Sequence, residues 1–103
     1  MPSNGAFRAL ADETRREILR MLRAGPRTSG DIASRFQSSW PTISRHLAVL
    51  RDAGLVITER KGQDIYYELN TSVFLDMVQH LMESSKPAAG QRRLSKRVTQ
   101  QEV

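Results

Sequence analysis

The 103-residue chain contains no cysteine. This absence excludes disulfide bonds, thiolate metal ligands and thiol redox sensing. The chain also lacks any run of about 18 apolar residues, and its N-terminus has no charged segment followed by an apolar one, so neither a membrane span nor a secretory signal is predicted. We therefore expect a cytoplasmic protein.

Residues that perform catalysis are also scarce. The chain has two histidines, and it lacks a phosphate-binding glycine loop and paired carboxylates in a cleft pattern. These absences argue against an enzyme and imply no cofactor. A chain of 103 residues has room for one small domain with a modest core, so we expect a partner subunit to complete it.

The net charge of +5 is distributed unevenly. Residues 86–103 carry a net charge of +4, whereas residues 1–85 carry +1. Because residues 86–103 are polar and lack apolar periodicity, they are predicted to form a disordered basic tail. Residues 1–85 are predicted to form the folded domain.

Apolar periodicity predicts five helices. The first covers residues 5–10, and Asp12 caps a second that runs to about Arg23. Thr28 begins a two-turn third helix with a capping-box pattern. A three-residue polar turn then leads to a fourth helix over residues 40–53.

The fifth helix, Thr71 to about Ser84, carries an apolar band wider than a small monomer covers. The band contains Val73, Phe74, Met77, Val78, Leu81 and Met82. We expect it to pack against its symmetry mate in a homodimer, with Phe7 and Leu10 of the first helix joining the interface.

The fourth helix has two chemically different sides. Ser39 caps it, Pro41 occupies the first turn, where a missing N–H is harmless, and Gly54 ends it. One arc is predicted to be buried and consists of Ile43, Leu47 and Leu50. The opposite side is short, polar and basic, and it consists of Pro41, Ser44, Arg45 and Ala48, with Thr42 at its edge.

Two short helices joined by a turn of about three residues have the layout of a helix-turn-helix. The second helix of this motif enters the major groove of DNA, where an arginine such as Arg45 forks onto guanine or a phosphate. The alternative is an ordinary amphipathic surface helix.

A β-hairpin is predicted directly after the fourth helix. Residues 55–61 and 65–69 are rich in β-branched and aromatic side chains, and Gly62-Gln63-Asp64 supplies a three-residue turn. Arg60 and Lys61 flank the tip. In this position a hairpin is a wing that lays its basic tip along the DNA backbone or in a minor groove. The alternative is a charged strand end that discourages edge pairing.

Three segments, in this order and at these separations, resemble the arsenic-repressor (ArsR) family of winged-helix bacterial transcription regulators. They are ALADETRREILRML at residues 9–22, SSWPTISRHLAVLRDAGLV at residues 38–56 and RKGQDIYYELN at residues 60–70. The resemblance covers about residues 5–84. It implies a mostly helical α+β fold with a small β-hairpin, a winged helix-turn-helix that dimerises through its first and last helices.

The same resemblance implies a homodimeric repressor that occupies a palindromic operator in double-stranded DNA. The alternative is a winged-helix protein-interaction module, because the fold by itself does not fix the function. In the first case the basic tail either adds non-specific DNA affinity or serves only solubility.

Residues carried over by position form the expected DNA contacts. The fourth helix contributes Ser39, Thr42, Ser44, Arg45 and His46, and the wing contributes Arg60, Lys61 and Gln63. Trp40 joins this set as a residue that either stacks at the DNA surface or packs against Phe36, and its position near the buried arc favours packing. His46 is open between a phosphate contact and a helix-to-helix hydrogen bond.

The chain departs from the metal-sensing members of the family that it resembles. Many of them use a cysteine pair on the helix that here has the sequence TSGDIASRF, residues 28–36, and this chain has no cysteine. A second family site uses the last helix, where Asp76, His80 and Glu83 share one face but a second histidine is missing. We expect no metal, as in the family's cysteine-free autorepressors. Release from DNA through an unknown effector, a protein partner or simple dilution stays open.

Overall fold

The computed structural model describes residues 3–85. These residues form five helices and a three-stranded antiparallel sheet: α1 Asn4–Ala9, α2 Glu13–Leu22, β1 Arg27–Thr28, α3 Ser29–Ala33, α4 Trp40–Asp52, β2 Val56–Lys61, β3 Asp64–Leu69 and α5 Thr71–Ser84. The prediction of five helices is confirmed. The predicted basic tail, residues 86–103, lies outside the described residues.

Side-chain caps begin three of the helices at the predicted residues. The Asp12 carboxylate accepts a hydrogen bond from the backbone N–H of Arg15 at 3.0 Å, and Thr28 caps α3 in the same way. Ser39 begins α4 and accepts from the backbone N–H of Thr42 at 3.4 Å. Because each cap satisfies an N–H that the helix leaves unpaired, the caps define where these helices start.

Gly54 ends α4 in the left-handed conformation, with a φ of 79°. The N–H of Leu55 donates to the carbonyl of Leu50 at 3.0 Å, and the N–H of Gly54 donates to that of Arg51 at 2.9 Å. This pair of bonds is a Schellman motif. Asn70, which caps α5, also donates to the Gly54 carbonyl at 3.0 Å. The end of α4, the start of β2 and the start of α5 are therefore fixed to one another.

One cluster of buried apolar side chains holds the helices and the sheet together. Its members are Ala6, Ala9, Ile18, Leu19, Leu22, Ile32, Ile43, Leu47, Leu50, Leu55, Val56 and Met77. The three side chains predicted to form the buried arc of α4 belong to this cluster, so that prediction is confirmed.

The sheet differs from the predicted hairpin in two respects. The two-residue strand β1 pairs with β3, which gives the strand order β1-β3-β2. Lys61 pairs with Asp64, so the turn consists of Gly62 and Gln63 and the prediction of a three-residue turn is wrong. Gly62 has a φ of 65°, which suits the first central position of a type II′ hairpin turn.

The third helix is shorter than predicted. It ends at Ala33, with Ser34 as its C-cap, so Phe36 lies in the turn that follows rather than on a second helical turn. Phe36 nevertheless packs against the core. The order α3, turn, α4 and hairpin is a winged helix-turn-helix.

Residues 3–85 include no helix with the length and apolar content needed to cross a membrane.

The Asp12 cap makes part of the fold's stability depend on pH. The N–H of Arg15 lowers the pKa of the Asp12 carboxyl below its ordinary value, an effect opposed by partial burial and reinforced by the charge of Arg15. Because the unfolded chain binds this proton more readily, the stabilisation is present above about pH 4 and is lost as the pH falls through the lower folded pKa.

We expect Asp12→Asn to flatten the decline in the free energy of unfolding between about pH 5 and pH 3, because asparagine keeps a capping oxygen but does not titrate. Urea denaturation across this range measures the effect, with Asp76→Asn at an exposed position as the charge-matched control. Parallel declines in wild type and Asp12→Asn would contradict the expectation.

Candidate nucleic-acid interface

The N-terminal half of α4 presents a mostly polar and basic surface outside its buried arc. We call this surface the recognition face, and it consists of Ser39, Trp40, Thr42, Ser44 and Arg45. Thr42 is half-buried and the other four are exposed. Within residues 3–85, no acidic side chain forms a salt bridge with Arg45. The guanidinium therefore keeps its donors available for a base edge or a phosphate.

Trp40 lies at the surface, with 53% of its area exposed. Of the two alternatives for Trp40, the favoured one, burial under the helix start, is therefore wrong. Trp40 is the first residue of α4. It lies three residues before Ile43, where the buried arc begins. An exposed indole offers both a flat apolar surface and an N–H donor, which suits a contact with a macromolecule.

His46 lies at the junction of α4 with α2, and its side chain is 18% exposed. Its Nδ1 is 3.3 Å from Nη1 of Arg15 and 3.8 Å from Oδ2 of Asp12. Because arginine only donates, Nδ1 accepts and the imidazole in this contact is neutral. Of the two alternatives that the sequence left open, this geometry favours the helix-to-helix hydrogen bond.

The two basic residues at the hairpin tip lie on opposite faces of the sheet. Side chains alternate along a strand, so Arg60 shares a face with the buried Val56. Lys61 lies on the other face, where its Nζ is 3.9 Å from Oε1 of Glu59 and its strand partner is Asp64. The carboxylates of Glu59 and Asp64 therefore attract the Lys61 ammonium and compete with any phosphate for it.

The remaining contacts at the tip also involve Lys61 rather than Arg60. Nζ of Lys61 also lies 5.5 Å from the ring centroid of Tyr66, a cation–π distance. Arg60 takes part in none of the salt bridges found within residues 3–85, and Gln63 is exposed in the turn. Arg60 is thus better placed than Lys61 to meet a phosphate.

Arg35, which lies in the turn between α3 and α4, was not among the residues predicted from the sequence. It is exposed, and no acidic residue in the described part of the chain forms a salt bridge with it. A basic residue in the turn before a recognition helix is the signal that would have found it, because phosphate contacts position such helices on DNA.

The predicted dimer residues divide into an exposed group on α5 and an inner group drawn from α5 and the end of α1. Leu81 and Met82 are 51% and 68% exposed, and Val78 is also exposed. Leu75, which the sequence analysis did not include, is exposed as well. These side chains form an apolar surface that the subunit itself leaves uncovered.

The inner group packs within the subunit. Phe7, Leu10, Val73 and Phe74 are half-buried against the core, whereas Met77 is 1% exposed. Met77 therefore belongs to the core of its own subunit, which leaves it no area to offer to a partner. The sequence pattern did not distinguish this core position from the exposed ones.

Residues 3–85 bring together no group of three or more histidine, aspartate or glutamate side chains that could hold a metal ion. Of the three residues on one face of α5, His80 lies against Phe7, with ring centroids 5.7 Å apart. Asp76 and Glu83 are exposed. The His80 contact also ties α1 to α5.

Comparison with known proteins decides the family. A model of the arsR family of bacterial regulatory proteins matches residues 12–58, which include α2, α3 and α4. The transcriptional repressor SdpR of Bacillus subtilis (strain 168) is 47% identical over 79 residues, which cover 77% of this chain and 88% of SdpR. The chain belongs to the arsR family. The family predicted from the sequence is thus confirmed.

Solved structures of arsR-family proteins share the fold. An ArsR-like transcriptional regulator from Rhodococcus sp. RHA1 matches with a TM-score of 0.73 and 32% identity, covering 89% of this chain and 85% of its own. The homodimeric winged helix-turn-helix DNA-binding domain of a possible ArsR-family regulator from Mycobacterium bovis matches with a TM-score of 0.64 and 30% identity, covering 77% and 76%. The predicted winged-helix fold class is confirmed.

We expect Trp40→Ala to change the free energy of unfolding by less than about 0.5 kcal/mol, because surface substitutions away from the core usually fall within that range. Leu50→Ala, which removes a fully buried side chain from the same helix, should cost about 2 to 5 kcal/mol. Urea denaturation of the three proteins measures both values. A loss for Trp40→Ala close to that for Leu50→Ala would show that Trp40 is part of the core.

Proposed function

We propose that this protein is a sequence-specific DNA-binding transcriptional regulator that acts as a homodimer and represses transcription by occupying a palindromic operator. The recognition face enters the major groove, and Arg60 of the wing meets the DNA backbone. The protein acts without catalysis and without a metal. Because an operator-binding protein acts where the chromosome is, we propose a cytoplasmic location.

One observation carries this proposal: Arg45 stands exposed among small polar side chains on a helix whose other side is fixed in the core. Ser44 lies beside it and lets the helix backbone approach the base edges closely. Arginine makes bidentate bonds to guanine, the commonest specific contact in the major groove. A helix held this firmly keeps such a contact in register.

The dimer follows from the apolar surface of α5. Leu75, Val78, Leu81 and Met82 are all exposed on this helix, and a contiguous exposed apolar patch is typical of a protein–protein contact site. The contact between Phe7 and His80 places α1 beside this surface. A two-fold dimer built on these helices presents two recognition faces, and half-sites about 34 Å apart match one turn of DNA.

The relatives support both repression and dimerisation. SdpR, 47% identical to this chain, is a transcriptional repressor, and the domain from Mycobacterium bovis is a homodimeric DNA-binding domain. We extend both properties to this chain on the strength of its recognition face and its exposed α5 surface.

Selection of bound sequences from a pool of random duplexes tests the proposal. We expect wild type to enrich a motif with two-fold symmetry, and we expect the variant Arg45→Ala/Arg60→Ala to lose that enrichment. A wild-type dimer that enriches no sequence would overturn the proposal and favour a winged-helix protein-interaction module.

The two basic positions should affect DNA binding differently. We expect Arg45→Ala to weaken binding to the selected operator by about 1 to 3 kcal/mol while binding to random duplexes changes little, because the lost contact is to a base. Arg60→Ala should weaken binding to both duplexes equally, because its contact is to phosphate. Fluorescence anisotropy with the two labelled duplexes measures both effects.

Arg51→Ala is the matched control for this experiment. It removes the same charge from the last turn of α4, where Arg51 lies 3.6 Å from the carboxylate of Asp52. We expect operator binding close to that of wild type. Equal losses on both duplexes for Arg45→Ala would contradict the assignment of that residue to base recognition.

A charged residue on the exposed side of α5 should separate the subunits. We expect Leu81→Glu to convert the dimer to a folded monomer, because it places a charge in an apolar contact without disturbing the subunit core. Asp76→Lys reverses a charge at an exposed polar position about 100° around the same helix from Leu75, and it should leave the dimer intact. Sedimentation equilibrium measures the mass, and an unchanged Leu81→Glu dimer would show that the interface lies elsewhere.

A further inference from the structure

Three helices meet at the side chain of Arg15. Its Nε donates to the carbonyl of Ala9 at 2.7 Å, and its Nη2 donates to the carbonyl of Arg8 at 3.2 Å. Its Nη1 donates to Nδ1 of His46 at 3.3 Å. One guanidinium, anchored on α2, thus joins the last turn of α1 to the middle of α4.

The chemistry of the arginine side chain explains why it can do this. A guanidinium carries five N–H donors in a rigid plane, so three acceptors held in that plane fix its position. Two of them are carbonyl oxygens at the end of α1, where the helix dipole places partial negative charge, and the one of Arg8 also accepts from the N–H of Ala11 at 3.0 Å. The third is the neutral imidazole of His46, which accepts through Nδ1.

Asp12 lies next to this junction and helps to place it. Its carboxylate caps α2 through the N–H of Arg15 and lies 3.8 Å from Nδ1 of His46. The arginine is therefore held at its backbone by the cap and at its guanidinium by two other helices. No part of this arrangement belongs to the recognition face.

We propose that Arg15 is a positioning residue for DNA recognition: by holding His46 against the end of α1, it sets where the recognition face of α4 stands relative to α1, which lies beside the proposed dimer surface of α5. This inference rests on the proposed function. In the complex, Arg15 and His46 hold each other and leave the contacts with DNA to the recognition face and the wing.

Arg16 offers a matched control beside it. Its Nη1 donates to the carbonyl of Leu10 at 2.7 Å, so it also anchors a backbone carbonyl at the junction of α1 and α2. Its side chain is exposed and has no hydrogen bond to α4. Removing it takes away the same charge and one comparable bond, but it leaves the link between Arg15 and His46 in place.

The experiment measures the affinity of the full chain for two duplexes, the operator selected with wild type and a random duplex of equal length. We expect Arg15→Ala to weaken operator binding about tenfold, the scale of the one of its three side-chain hydrogen bonds that reaches α4. Binding to the random duplex should stay within about twofold of wild type, because the phosphate contacts that carry it remain. Arg16→Ala should bind both duplexes like wild type.

Variants of His46 test whether Arg15 acts through it. We expect His46→Ala to reproduce the loss caused by Arg15→Ala, and we expect the double variant to lose no more than either single variant, because one contact has been removed twice. His46→Asn should bind the operator within about threefold of wild type, since its Oδ1 replaces Nδ1 as the acceptor. A role in general stability alone would not produce this rescue.

Several outcomes would overturn the inference. Equal losses on both duplexes would indicate a direct phosphate contact or a smaller folded fraction, and additive losses in the double variant would separate Arg15 from His46. If circular dichroism shows that Arg15→Ala does not fold, the His46 variants test the inference instead. Equal operator affinities for His46→Ala and His46→Asn would then overturn it. A selective wild type with an equally selective Arg15→Ala overturns this inference alone, whereas a wild type that selects no duplex overturns the proposed function and this inference together.

Discussion

Burial of three apolar side chains fixes the rotation of α4 about its own axis, and the remaining features of the candidate interface depend on that constraint. Ile43, Leu47 and Leu50 all belong to the core. Successive residues of a helix are about 100° apart, so burying this arc forces Ser44 and Arg45 toward solvent. The surface proposed to recognise DNA is therefore oriented by residues that never touch the DNA.

Features with a local signal could be predicted from the sequence. The Ser39 cap, the proline in the first turn and the apolar spacing of α4 lie within about four turns of one helix, and each acts through hydrogen bonds or contacts within that segment. The hairpin was predicted for the same reason. The residues on each face of the hairpin also follow from strand alternation once the register is known. A shift of one residue would exchange the faces of Arg60 and Lys61, and the turn predicted from the sequence was one residue too long.

Features that depend on distant parts of the chain could not be predicted. Strand β1 has two residues and forms only because β3 lies beside it. The apolar character of Trp40 favoured burial, but the buried arc of α4 begins only at Ile43. Met77 and its exposed neighbours on α5 look alike in sequence, because a wide apolar band does not show which part faces the subunit's own core. The bond between Arg15 and His46 joins residues 31 positions apart, and no local pattern indicates it.

The uneven burial of α5 has a consequence for how such a regulator responds in the cell. Met77 is the one side chain of this helix that is fully buried within the described part of the subunit, so in the proposed dimer much of the apolar surface of α5 leaves water only when two copies associate. Mass action then couples folding, assembly and DNA binding. While most copies are single subunits, operator occupancy rises with the second power of protein abundance. A small change in synthesis or proteolysis would therefore act as an input signal in its own right.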